Sequence, residues 1–137
     1  MTTRAELIAE ARTWLGTPFH HQGRVKGIGA DCVGIVIGTA NALGLSDYKS
    51  MNYPHMPSMA LLETTLGEQL DKISVADIRF GDILLFAFDK EPQHVGFYTD
   101  IGILHSYGVV RKCIETSLDA VWRGRIRGAF RFRNLED

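Results

Sequence analysis

The sequence lacks the features that mark several large classes of protein. Its formal net charge is only −1, so no excess of one sign draws the chain toward nucleic acid or anionic lipid. No apolar run reaches the length of a membrane span, and the first residues do not have the charged and apolar regions of a signal peptide. We therefore expect no nucleic-acid partner, no membrane insertion, and synthesis in the cytoplasm without a signal peptide.

Cysteine is also scarce, since the chain contains only Cys32 and Cys113. Two cysteines do not make the disulfide framework of a small secreted domain, and we expect both to be reduced thiols. What is present is an ordinary globular composition, 45% hydrophobic and 23% charged. At 137 residues, this predicts one domain spanning 1–137 with its own apolar core.

Helical patterns occupy the first half of the chain, and residues 19–30 between the first two helices lack apolar periodicity and are predicted to form a loop. The first helix has the spacing of a capping box, Thr3 with Glu6. N-caps are expected at Thr3, Asp31 and Ser58, and helix ends at Gly16, Gly44 and Leu70. The stretch Tyr48–Pro57 is expected to be irregular because Pro54 and Pro57 interrupt it.

From Phe80 onward the apolar period changes to two, which is typical of strands. The nearly continuous apolar run Asp82–Phe88 predicts a buried central strand. Further strands are expected at His94–Thr99, Ile103–Tyr107, Val109–Glu115 and Gly128–Arg133. Helices followed by several consecutive short strands favour an α+β domain with an antiparallel sheet.

Cys32 lies where the loop meets the second helix. A thiol at a helix start has its pKa lowered by the positive end of the dipole, which favours the nucleophilic thiolate. Such a thiol should alkylate rapidly near neutral pH. The alternative is that Cys32 only fills space, as buried cysteines often do, and this explanation suffices for Cys113 in its strand.

His94 and His105, in consecutive predicted strands, are candidate partners for Cys32. A thiol nucleophile needs an imidazole to exchange its proton, and that imidazole needs a third group to orient it. The two histidines share a face only if the turn between their strands has an even number of residues, and Asp100 and Gly102 permit either register. The backbone N–H at the helix start, including that of Cys32, would meet an oxyanion.

Five motifs follow one another along the chain: Leu15–Phe19, His21–Arg24, Asp31–Gly34, Gly81–Leu84 and His94–Tyr98. In this order they resemble those of the NlpC-type cysteine peptidases, bacterial cell-wall hydrolases of the papain-like superfamily. The resemblance covers roughly Ala5 to Phe132. It implies a papain-like fold in which the nucleophile helix packs on the central antiparallel sheet. The stretch His21–Gly34 is most similar to the branch encoded near phage-tail genes, which implies tail proteins as partners and a particle-associated location.

The resemblance also implies a role for each matching residue. Cys32 would be the nucleophile, His94 the base and His105 the group that orients it. The implied substrate is a peptidoglycan stem peptide, cut at a D-γ-glutamyl to diamino-acid amide bond, with no cofactor. The family usually has tyrosine at Phe19, so one hydrogen-bond donor near the oxyanion is missing.

Other residues lead to further expectations. The remaining candidates for the oxyanion or substrate site are Asp31, Phe19, His21 and Gln22. A zinc site built from His20 or His21 with the triad residues is disfavoured because no metal-ligand spacing is present. Two other functions stay open: a non-catalytic tail-assembly or adaptor protein of the same fold, and an amidase acting on a non-murein substrate.

A C-terminal series of arginines has odd-numbered spacing, which places it on one strand face if the segment is extended. Such a face is either solvated or a cationic rim for acidic peptides or a partner subunit. The series is Arg123, Arg125, Arg127, Arg131 and Arg133.

Overall fold

The computed structural model describes residues 1–46, 59–88 and 94–137, and in these ranges helices precede most of the strands. The helices are α1 (Arg4–Arg12), α2 (Cys32–Ala42), α3 (Met59–Gln69) and the short α4 (Ala120–Gly124), with a 3-10 turn at Val75–Asp77. The capping box at Thr3 and the N-cap at Asp31 are confirmed. The expected cap at Ser58 and the stretch Tyr48–Pro57 lie outside the described residues. In the described ranges, no helix combines the length and the apolar character needed to cross a bilayer.

One antiparallel sheet of six strands carries the fold, in the order β3-β8-β4-β5-β6-β7. A two-stranded hairpin, β1 with β2, lies in the predicted loop. The strand bounds are β1 Arg24–Val25, β2 Gly29–Ala30, β3 Asp71–Ile73, β4 Ile83–Phe86, β5 His94–Tyr98, β6 Ile103–Tyr107, β7 Lys112–Thr116 and β8 Ile126–Arg131. The α+β class with an antiparallel sheet is therefore confirmed.

β4 is buried along its whole length because both faces of the sheet are covered. Ile83 and Leu85 join the main core, where α1, α2 and α3 pack. Leu84 and Phe86 join a second apolar cluster on the opposite face, which includes Trp122 of α4. A strand between two apolar layers has no polar face, which explains its continuous hydrophobic sequence.

α2 packs on β5 and β6, with α1 against its other side. Its start is held by Asp31, whose Oδ1 accepts a hydrogen bond of 2.7 Å from the N–H of Gly34. Gly34 is required there, since a Cβ would lie 2.1 Å from the carbonyl oxygen of Gly23 in the preceding loop. The loop therefore closes directly onto the first turn of the helix and fixes the position of Cys32.

Some elements differ from the predicted ones. β7 begins at Lys112 rather than at Val109, because residues 108–111 form the turn after β6 and Arg111 has a positive φ of 65°. β3 and α4 were not predicted at all, and their lengths of three and five residues explain why: neither shows a full apolar period.

The prediction of one arginine face is wrong. Arg123 belongs to α4 and Arg125 caps it, so only two members of the series lie in β8. Arg131 pairs with the fully buried Asp82, while Arg133 pairs with the exposed Asp71. The series therefore divides among a helix, a buried ion pair and the protein surface.

Candidate active site

Cys32 is the first residue of α2 and is half-buried. The backbone N–H groups of Cys32 itself, Val33 and Val95 lie near its sulfur and act to lower its pKa. Val95 follows His94 in the chain, so the thiol lies beside the start of β5. The structure thus brings the predicted nucleophile to the strand that carries its predicted base.

The structure contradicts the expectation that the pKa of Cys32 is lowered. Burial raises the pKa of this thiol to about 12, and the Asp31 carboxylate acts in the same direction against the three N–H groups. Burial likewise raises the pKa of Cys113 to about 12, so the pKa does not separate the two cysteines. The two thiols differ instead in their exposure, because Cys32 is half-buried and Cys113 is buried. In the resting protein Cys32 is a neutral thiol, and its attack requires a base.

The turn between the two histidine strands has an even number of residues. Phe97 pairs with Leu104, and the N–H of Thr99 donates to the carbonyl of Gly102, which leaves a two-residue turn of Asp100 and Ile101. This register puts residue 96 opposite residue 105, so the side chains at positions 94 and 105 share one face. The expected diagonal neighbourhood of the two histidines is confirmed.

His94 and His105 are joined by a hydrogen bond of 2.5 Å between His94 Nε2 and His105 Nδ1. Both side chains are buried. Burial, followed by the electrostatic interactions with His105 and with Arg125, lowers the pKa of His94 well below its ordinary value, and burial lowers the pKa of His105 to about 4. Both imidazoles are therefore neutral at neutral pH. His94 Nδ1 is the ring nitrogen outside this bond, and a neutral ring can accept a proton there.

The lowered pKa of His105 predicts a specific loss of stability in acid. A buried neutral imidazole stabilises the fold fully above the unfolded-state pKa of 6.5, and this contribution falls as the pH drops from 6.5 toward about 4. The contribution is of the order of 3 kcal/mol. We expect the free energy of unfolding in urea to fall more steeply with acid in the wild type than in His105→Asn. Equal pH dependences would contradict the burial of a neutral His105.

Asp31 ties the loop to the helix. Besides its bond to Gly34, its Oδ2 accepts a hydrogen bond of 2.7 Å from the N–H of Gln22. His21 Nδ1 lies 3.8 Å from the same oxygen. The candidates Asp31, His21 and Gln22 therefore form one cluster at the start of α2, and the carboxylate serves as an anchor for the loop beside Cys32.

Trp122 of α4 lies beside the two histidines, and the sequence analysis did not predict this helix. The Trp122 ring lies 4.9 Å from His105 and 5.8 Å from His94, centroid to centroid. The Arg125 guanidinium lies over Trp122 at 4.9 Å and over Phe88 at 4.7 Å. The signal that could have found this element is Asp119, whose side chain caps the helix by accepting from the N–H of Trp122.

The family model of NlpC/P60 proteins matches residues 16–130 of this chain, most of its length. The chain belongs to the NlpC/P60 family. The match includes both cysteines, both histidines of the buried pair and α4. Among curated proteins, the comparison finds no significant relative.

Solved NlpC/P60 structures share the fold. The NlpC/p60 domain of the peptidoglycan hydrolase SagA has a TM-score of 0.67 at 19% identity, covering 96% of this chain and 100% of that domain. An NlpC/P60 family protein from Bacillus cereus ATCC 10987 gives 0.71 at 22% identity, covering 95% of this chain and 40% of that one. NlpC2 from Trichomonas vaginalis gives 0.70 at 17% identity, covering 96% and 47%. This chain thus spans less than half of the latter two, and the likeness confirms the papain-like NlpC/P60 fold.

Phe19 is where this member of the NlpC/P60 family departs from the expected tyrosine. Its N–H donates to the carbonyl of Arg111, its ring lies against Gly108, and it is half-buried. The ring is thus held between the loop and the turn after β6 and brings no hydroxyl. Among residues 1–46, 59–88 and 94–137, no three His, Cys, Asp or Glu side chains converge as a metal site would require.

Proposed function

We propose that this protein is a peptidoglycan hydrolase, a cysteine amidase that cleaves the D-γ-glutamyl to diamino-acid bond of stem peptides. One observation carries the proposal: a buried His94–His105 hydrogen bond on the strand that also brings the N–H of Val95 to a thiol at a helix start. Membership of the NlpC/P60 family and the likeness to the SagA domain, a peptidoglycan hydrolase, support the substrate class.

The neutral resting state defines the proposed first step. The Sγ–H proton of Cys32 passes to His94 Nδ1 as the sulfur attacks the amide carbon, so thiolate and imidazolium form only on the reaction path. The N–H groups at the start of α2 stabilise the oxyanion. His105 Nδ1 accepts from His94 Nε2–H and fixes the tautomer that leaves Nδ1 free.

The remaining steps return every group to its starting state. The C–N bond breaks, the leaving amine takes the proton from His94, and a thioester to Cys32 remains. Water then gives a proton to His94 and attacks the thioester carbon. The C–S bond breaks, the acyl product leaves as a carboxylic acid, and Cys32 regains its proton.

The experiment that tests the proposal is digestion of a synthetic stem peptide, with the products identified by mass spectrometry. We expect two fragments that define a break between the D-γ-glutamyl residue and the diamino acid. A non-catalytic assembly protein would leave the peptide intact. An amidase with another substrate would also leave it intact, but would hydrolyse other γ-glutamyl or peptide amides.

Gly96 is predicted to be needed for activity because it lies beside His105. A Cβ there would lie 2.8 Å from Ile103 Cγ1 and 3.1 Å from His105 Cβ, so Gly96→Ala forces Ile103 to shift and presses on the base of the His105 side chain. We expect kcat for the stem peptide to fall about tenfold, with a loss of about 1–3 kcal/mol in stability from overpacking. The control is Gly67→Ala, in open space on α3, which should leave kcat unchanged. Equal kcat in the two variants would contradict the prediction.

We propose separately that the protein acts in association with a phage-like tail. The support is the similarity of residues 21–34 to the tail-gene branch of the family. Purified particles from the host should then contain this protein together with tail proteins. Its recovery only in the particle-free fraction would contradict the proposal and leave the hydrolase assignment unaffected.

A further inference from the structure

The ring nitrogen Nε2 of His105 is buried and has no hydrogen-bond partner. The residue is 1% exposed, so water does not compensate for the missing partner. A buried polar group left in this state destabilises the fold. Because this atom belongs to one member of the candidate catalytic pair, its missing partner requires an explanation.

The proton arrangement makes this nitrogen a donor. In the proposed function His94 Nδ1 must be free of a proton, so the proton of this neutral ring is on Nε2 and is donated to His105 Nδ1. A neutral His105 whose Nδ1 accepts must carry its own proton on Nε2. The unpartnered atom is therefore an N–H group, and the face of an aromatic ring can accept from such a group.

Trp122 is the candidate acceptor. Its plane is perpendicular to that of His105, at 88°, with the centroids 4.9 Å apart. Tyr107 stacks face to face on His105 at 17° and so covers a face of the imidazole rather than its edge. Trp122 is itself held by perpendicular contacts of 5.3 Å with Phe86 and Phe88.

We propose that Trp122 is a positioning residue whose ring face accepts the Nε2–H of His105. The contact holds His105 in the Nε2–H tautomer, and His105 in turn holds His94 with Nδ1 free for the proton of Cys32. α4 therefore serves the reaction through the histidine pair. The Nε2–H tautomer of His105 and its catalytic consequence both rest on the proposed function, but the tautomer can be measured without any substrate.

The test is nuclear magnetic resonance of the imidazole nitrogens, with kinetics alongside. In the wild type, we expect His105 to be protonated at Nε2 only, with that proton shifted upfield by the Trp122 ring current. Trp122→Leu should lose the upfield shift and the single tautomer, and kcat for the stem peptide should fall about tenfold at unchanged KM. Trp122→Phe should keep the tautomer and most of kcat, because it retains an aromatic face.

The matched control is Val121→Ala, an exposed neighbour on the same helix, which should change neither readout. A wild-type His105 protonated at Nδ1, or lacking the ring-current shift, would overturn the proposal even if Trp122→Leu did not fold. So would a Trp122→Leu variant with an unchanged His105 spectrum. The expected spectra with no hydrolysis in any variant would support the contact and contradict the proposed function alone.

Discussion

Replacing Cys32 with alanine is expected to reduce kcat for the stem peptide by at least about 10³-fold, since it removes the atom that forms the thioester. Cys32 is half-buried at the start of α2, and the Asp31 cap that holds the helix is untouched. The free energy of unfolding should therefore change by no more than about 1 kcal/mol. Steady-state kinetics and urea unfolding of the same preparations measure both quantities.

Three further variants make this prediction specific. His94→Ala should lose nearly as much activity as Cys32→Ala, and His105→Ala should retain more because it acts only through His94. Cys113→Ala should keep kcat while losing stability, since that thiol is buried in β7. Substantial hydrolysis by Cys32→Ala, or inactivation by Cys113→Ala without unfolding, would contradict the assignment.

The largest expected effect on stability is at Asp82, which is fully buried. Its carboxylate accepts from Arg4 Nη1 at 3.1 Å, from Arg131 at 3.0 and 2.9 Å, and from the N–H of Arg79 at 2.8 Å. Asp82→Ala leaves the buried Arg4 and the partly buried Arg131 without this partner. Breaking one side of a buried ion pair costs about 3–5 kcal/mol. This is a large fraction of the roughly 5–15 kcal/mol by which a typical domain is stable.

The matched control for this prediction is Asp71→Ala. Asp71 pairs with Arg133 at 3.0 Å, but their side chains are 63% and 49% exposed. Such a pair contributes at most about 1 kcal/mol. Urea unfolding should separate the two variants clearly, and equal midpoints would show that the Asp82 pairs are no more important than a surface ion pair.

The parts of the site that could be predicted from sequence depend on local signals. Asp31 as an N-cap placed Cys32 at a helix start, and the alternating strands placed His94 and His105 on neighbouring strands. The shared face of the two histidines could not be predicted, because Asp100 and Gly102 are compatible with a turn of either an even or an odd number of residues. The even turn is seen only in the pairing of β5 with β6, where Arg12 of α1 also bonds to Asp100.

The remaining differences arise from contacts between distant parts of the chain. The helix dipole predicted a lowered pKa at Cys32, but burial and the Asp31 carboxylate raise it. The odd spacing of the arginines predicted one face, but Arg123 lies in α4, which ends at its cap Arg125 before β8 begins. Trp122 carried no signal of its own, since its relation to His105 exists only after α4 has packed against the sheet face that carries Leu84 and Phe86.

The central claim is that Cys32 makes this protein a peptidoglycan hydrolase. It is tested most directly by mass spectrometry of isolated murein after digestion by the wild type and by Cys32→Ala. The wild type should release fragments that end at the D-γ-glutamyl residue and fragments that begin with the diamino acid, and Cys32→Ala should release neither. Intact murein with the wild type, or the same fragments with Cys32→Ala, would contradict the claim.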